Sequence, residues 1–141
     1  MRQIKWIILH CSDTPEGRDV RAETIKGWHV NERGWSDIGY HYVIELDGSI
    51  IEGRKEERNG AHAAGYNSNS IGVCYVGGKT KDMKMPKDTR TEDQIISMFW
   101  LLKNLKDKYP EVQIIGHNNI STKDCPSFDV EKWVKDVRLD K

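Results

Sequence analysis

A chain of 141 residues with 37% hydrophobic and 31% charged side chains has the make-up of one folded domain over 1–141, long enough to bury roughly two-thirds of the surface its unfolded form exposes. Lysine plus arginine balance aspartate plus glutamate at 22 each, so the composition carries no basic footprint for nucleic acid or for an anionic membrane surface. No run approaches the ~20 apolar residues that a membrane helix needs.

In chain order, the first apolar run, over residues 5–11, reads as a buried strand ending in His10-Cys11-Ser12. The short apolar start is broken by Lys5 and lacks the h-region length and small-residue cleavage site of a signal peptide, which predicts a protein kept in the cytoplasm until something releases it. Residues 13–17 are a polar loop. Asp19 is placed to cap a helix running to about residue 33, with Ile25, Trp28 and His29 inward, Gly27 weakening its middle and Gly34 ending it. Residues 41–46 and 49–52 flank Asp47-Gly48, the signature of a two-residue hairpin turn. Residues 59–69, rich in small and polar side chains, form an irregular loop around His62. Residues 70–76 are a third apolar strand closed by Gly77-Gly78, and 79–90 is a charged surface excursion.

Thr91 and Gln94 make a capping box, and the helix behind it carries Ile95, Met98, Phe99, Leu102 and Leu105 at helical spacing before Pro110 stops it. Residues 111–116 read as a strand, and Asp129 caps a last helix with Val130, Trp133, Val134 and Val137 on one side. Strands and helices interleave without repeats or linkers. The expected fold is therefore α/β: a single domain with a central mixed β-sheet flanked by helices. His10 and Gly116-His117 both fall at strand C-terminal ends, where such sheets carry their sites.

Five side chains stand out: His10, Tyr40, His117, Lys123 and Cys125. A catalytic zinc takes three protein ligands and leaves one position open. His10, His117 and Cys125 offer two imidazoles and one thiolate, and the eight residues from His117 to Cys125 are enough to curl back onto one ion. Spacing alone also admits the plainer reading, in which a strand-end histidine is simply packed or solvated. The three cysteines, Cys11, Cys74 and Cys125, are odd in number and widely spaced, which argues against a disulfide framework. Cys11, one residue past His10 on a strand, points to the other face and into the core, and Cys74 sits in an apolar strand with the same expectation.

Five blocks then occur in one order: ILHCSDT, WSDIGYHY, GAHAAGYN, SIGVCYVGG, and GH followed by KDCPSFD. The series closely resembles the phage-lysozyme type of N-acetylmuramoyl-L-alanine amidase, in the superfamily that includes the peptidoglycan recognition proteins, and the resemblance covers about residues 7–133. The resemblance implies a zinc enzyme, with one ion per chain, that cleaves the bond between N-acetylmuramic acid and L-alanine of peptidoglycan. It implies His10, His117 and Cys125 as the zinc ligands, Tyr40 and Lys123 as catalytic residues near the metal, and His62 as a substrate-binding residue at the groove. The motifs contain no glutamate of the kind that serves many zinc peptidases as general base. Proton transfer therefore falls to Tyr40, Lys123 or the ligand set.

The other aromatic and histidine residues carry plainer expectations. His41 is read as structural, His29 as packed or solvent-facing, and Trp28, Trp100 and Trp133 as packing, with Trp35 the tryptophan placed to flank a groove. A non-catalytic peptidoglycan-binding module is disfavoured because all three donors are present. A cysteine hydrolase built on Cys125 or Cys11 is the rival that chelation distinguishes. The preferred setting is a phage or prophage endolysin acting as a monomer, without a separate cell-wall-binding domain and without membrane insertion, a bacterial cell-wall recycling amidase being the alternative. Binding to RNA polymerase, an activity of one phage relative, is not expected from a chain that starts only nine residues before His10.

Overall fold

An apolar run buried on both sides makes a central strand of a parallel sheet. In the computed structural model, which describes residues 2–140, that run is β1 (Trp6–Cys11), with Ile7, Ile8 and Leu9 wholly buried. The elements after it are β2 (Thr14–Pro15), α1 (Ala22–Gly27), β3 (Tyr42–Ile44), β4 (Ile50–Glu52), β5 (Ser70–Tyr75), β6 (Gly78–Lys79), α2 (Glu92–Lys108), β7 (Gln113–Gly116) and α3 (Val130–Asp136). Met1 and Lys141, the ends of the expected domain, lie outside the described residues.

The main sheet runs β4-β3-β5-β1-β7, with β3, β5, β1 and β7 parallel and β4 antiparallel at one edge. β2 and β6 form a separate short parallel ladder, a pairing not expected of the 13–17 loop. Ile7, Leu9 and Cys11 of β1 and Ile71, Val73 and Tyr75 of β5 pack against Met98, Leu102 and Leu105 of α2 and against Val130 and Val134 of α3. Val43, Cys74 and Val76 pack on the opposite side with Ile25 of α1 and Ile38. The expected α/β sandwich around one mixed sheet is what forms.

Three local expectations are corrected. The helix after the first loop starts at Ala22, not at Asp19. Its free N-terminus is met from a distance by Glu45, which accepts from the Ala22 amide at 2.8 Å, while Asp19 pairs with Arg21 at 2.9 Å. Past Gly27 the helix widens into a π-turn over Trp28–Glu32 and ends at Gly34, whose φ is +74°. At the hairpin the turn is one residue longer than expected. The Gly48 amide bonds to the Glu45 carbonyl, the Glu45 amide bonds to the Ser49 carbonyl (each 2.9 Å), and only Gly48, not Asp47, has positive φ. That is a type I turn closed by a left-handed glycine, the three-residue solution to the same problem.

The α2 capping box forms as read: Thr91 Oγ1 accepts from the Gln94 amide at 3.0 Å, and Gln94 Oε1 accepts from the Thr91 amide at 2.8 Å. Gln94 is also wholly buried, and its Nε2 donates to the carbonyls of Ile44 and Val76 at 3.2 and 3.0 Å. Trp100, expected to pack, is instead 55% exposed.

Candidate active site

The site gathers where three parallel strands end. β1 delivers His10 and Cys11 at its C-terminal end, beside Cys74 of β5 in register with His10. β7 ends at Gly116, and the chain turns at once into a 3₁₀ turn, His117–Asn119, with Asn119 Oδ1 accepting from the Gly116 amide at 2.8 Å. The return to Cys125 is tied by Asn118, whose Nδ2 donates to the Phe128 carbonyl at 3.2 Å. Behind Cys125, Tyr75 donates to the Pro126 carbonyl at 2.7 Å and Ser127 to the Gly78 carbonyl at 2.8 Å. The loop that carries Cys125 is thereby fastened to β5 and β6.

His10, His117 and Cys125 present one donor atom each, all within 4.8 Å of one another. His10 Nδ1 lies 3.8 Å from Cys125 Sγ, and the His10 and His117 rings are 4.6 Å apart. Zinc bonds of about 2.0–2.1 Å to nitrogen and 2.3 Å to sulfur place tetrahedral donors roughly 3.3–3.6 Å apart, so the three residues fit such an ion with small adjustment. The Cys11 amide donates to Cys125 Sγ at 3.1 Å. Burial, then His62, His117 and Lys123, hold the His10 pKa well below its ordinary value, and burial followed by Lys123 lowers that of His117. Both imidazoles are therefore neutral at neutral pH, as metal ligation requires. The Cys11 thiol beneath is pushed upward, first by its contact with Cys125 and then by burial.

The three donors lie in the wall of a cavity of about 310 Å³. Tyr40, Lys123 and His62 line the same cavity, so every residue singled out in the sequence is brought together there. The Tyr40 ring lies 5.1 Å from that of His10, and burial, then the adjacent Cys74 thiol, raises the phenol pKa well above its ordinary value. Lys123 is exposed on the rim, with its amide donating to Ser121 Oγ at 3.2 Å. His62 has both ring nitrogens engaged within the protein, Nδ1 with His10 at 2.8 Å and Nε2 with Ser70 Oγ at 3.1 Å. A second cavity of about 460 Å³, against β7, is lined by Ile114, Ile115, Val134 and Leu139 and contains neither histidine nor cysteine.

His41 is structural, as expected: it is wholly buried, and its Nδ1 accepts from the Gly72 amide at 3.0 Å. His29, read as packed or solvent-facing, packs in the cavity wall. The π-turn aims it into the cavity wall, where its Nδ1 accepts from the Gly39 amide at 2.9 Å and its ring lies 4.6 Å from Trp35 and 5.6 Å from Tyr40. Trp35 flanks the cavity, as its position in the sequence suggested.

A mixed α/β sheet whose strand ends bring two histidines and a cysteine together, beside a half-buried tyrosine and a rim lysine, offers three donors that could hold a metal ion. The family model described as N-acetylmuramoyl-L-alanine amidase matches residues 1–128, and the chain belongs to that family. It is 42% identical over 139 residues to the endolysin of Enterobacteria phage K11, covering 98% of this chain and 90% of that protein. To the endolysin of Escherichia phage T7 it is 42% identical over 127 residues, 90% of this chain and 83% of that one. Among solved structures, N-acetylmuramoyl-L-alanine amidase LysC from Clostridium intestinale superposes with a TM-score of 0.81 at 27% identity, covering 97% of this chain and 87% of that chain. Bumblebee PGRP-SA superposes with a TM-score of 0.79 at 28% identity, covering 96% and 82%.

Proposed function

We propose that the chain is a zinc-dependent amidase that hydrolyses the bond between N-acetylmuramic acid and L-alanine in peptidoglycan, and that it serves a phage or prophage as an endolysin. The observation that carries the reading is the convergence of His10, His117 and Cys125 within 4.8 Å beside an open cavity. Membership of the amidase family and the phage endolysins at 42% identity support the reaction and the setting.

When bound, zinc supplies the Lewis acidity that amide hydrolysis requires. His10 and His117, kept neutral, hold it through their free lone pairs, and Cys125 contributes the one negative charge of the ligand set. Tyr40 retains its phenolic proton at neutral pH because burial disfavours the phenolate, so its hydroxyl donates to an oxygen that gains charge. Lys123 brings an ammonium to the rim of the same cavity, where it stabilises that oxygen and can hand a proton to the departing amine. His29 and Trp35 make an aromatic wall that holds the substrate amide away from bulk water.

The test is the chemistry of the cut. Peptidoglycan digested with the purified protein is labelled at its new amino groups, and L-alanine at the new amino terminus is the expected product. New reducing sugar ends, or a terminus within the peptide stem, would overturn the assignment.

A further inference from the structure

His10 can offer Nδ1 to a metal only if its proton sits on Nε2, and a buried N–H needs an acceptor. The cavity side of His10 is its Nδ1, which faces Cys125 Sγ at 3.8 Å, and the opposite nitrogen lies 2.8 Å from His62 Nδ1. The two rings stand at 89° to one another, in a T-shaped arrangement. His62 accepts at Nδ1 only if its own proton is on Nε2, and that atom meets Ser70 Oγ at 3.1 Å. With His10 Nδ1 given to the metal, the chain of donors runs His10 Nε2–H to His62 Nδ1, then His62 Nε2–H to Ser70.

His62 is fixed in this position by its surroundings. Asn67 Oδ1 accepts from the backbone amides of His62 and Ala63, each at 2.9 Å, and so folds the small-residue loop around the ring. Gly60 and Gly72 leave the space that the ring fills: a Cβ at either would come within 2.5 or 2.6 Å of His62 Cδ2. With both nitrogens committed to protein groups, His62 has no polar atom left for a substrate.

We infer that His62, backed by Ser70, is a positioning residue that holds His10 in the Nε2–H tautomer and aims its Nδ1 into the metal site. The proposal rests on the amidase reading only for the identity of the metal. The tautomer of His10 is a property of the metal-free protein. His62 acts through His10 and does not touch the substrate.

Three variants and two readouts test it. In His62→Asn the side-chain oxygen takes the place of Nδ1 and keeps the acceptor, whereas His62→Leu removes it. Ser70→Ala leaves His62 in place but withdraws the partner of its Nε2, and serves the same test if His62→Leu does not fold. The side-chain ¹⁵N shifts of His10 in metal-free protein report the tautomer, and competition with a chromophoric chelator reports zinc affinity. The wild type and His62→Asn are expected to show His10 protonated on Nε2. His62→Leu, or Ser70→Ala in its place, is expected to show a shift toward the Nδ1–H form and zinc binding about 10–100-fold weaker. An unchanged His10 tautomer and unchanged zinc affinity in both His62→Leu and Ser70→Ala would overturn the proposal. Were the wild type to bind no zinc, the amidase reading would fail, and the ¹⁵N shifts would still decide the role of His62.

Discussion

The backbone amide of Cys11 donates a 3.1 Å hydrogen bond to the Sγ of Cys125, 114 positions further along the chain. One strand therefore serves the site twice: His10 contributes its imidazole, and the next residue orients the sulfur that shares the site with it. Alternation along β1 makes this possible, since the side chain of Cys11 joins the core on the α2 side while its amide stays at the strand end. The thiol is thus built into the fold, and changing it removes the proposed metal donor without opening the surface.

Cys125→Ser should lose metal and activity together, because a serine hydroxyl does not ionise to replace the thiolate. Metal content after gel filtration and amidase turnover measure the two losses side by side. A metal-free Cys125→Ser protein that still releases L-alanine termini would contradict the ligand assignment.

Lys123→Ala and Tyr40→Phe should each keep the metal and lose about 10²–10³ in kcat, the usual cost of removing one donor to a developing oxyanion. Steady-state kinetics on zinc-loaded protein reads this directly. A rise in KM with kcat unchanged would reassign either residue to ground-state binding.

Arg90 is bound between rings and acid. Its guanidinium lies 3.6 Å from the centroid of Phe128 and 4.7 Å from that of Trp133, and it pairs with both oxygens of Asp88 at 3.0 Å. Its side chain is 4% exposed, so these contacts are largely shielded from water. Arg90→Ala should cost about 2–3 kcal/mol in denaturant unfolding, and Arg90→Lys should recover little of it, because an ammonium neither stacks nor binds bidentately.

Gln94→Leu should destabilise by about 2–3 kcal/mol, since it leaves the carbonyl of Val76 and the amide of Thr91 without a partner and takes a second donor from the carbonyl of Ile44, which keeps the Val76 amide at 3.0 Å. The measurement is again the unfolding midpoint. Retention of wild-type stability would mean that those groups find new partners.

The metal-free protein should be acid-sensitive in a defined window. Burial, then His41 and His117, push the His62 pKa down to about 3 from an ordinary 6.5. The unfolded chain takes up the proton as pH falls through the ordinary value, and the folded chain resists until the lower one. Stability is therefore full above about 6.5 and is lost as pH falls toward about 3. Melting in chelator between about pH 7 and pH 4 should show a falling Tm, and a flat profile would contradict the burial of a neutral His62.

Much of this was legible in the sequence because the signals were local. Thr91 and Gln94 sit three residues apart and satisfy each other within one turn, and His10 and His117 each close an apolar run that can only be a strand end. What stayed hidden depended on partners distant in sequence. Glu45, not Asp19, caps α1, because the hairpin brings a carboxylate onto the helix end. The π-turn that turns His29 to the cavity has no marker beyond Gly27, and the burial of Gln94 follows from two carbonyls on different strands. The motif put His62 at the groove, but only the folded loop reveals its bonds to His10 and Ser70.

The central claim is that the site is a zinc centre and that the zinc is required for the cut. The most direct measurement is the zinc content of purified protein, coupled to release of L-alanine termini before chelation, after it, and after zinc is returned. One zinc per chain, with release abolished by chelator and restored by zinc, is the predicted result. Full release from protein stripped of metal would contradict it.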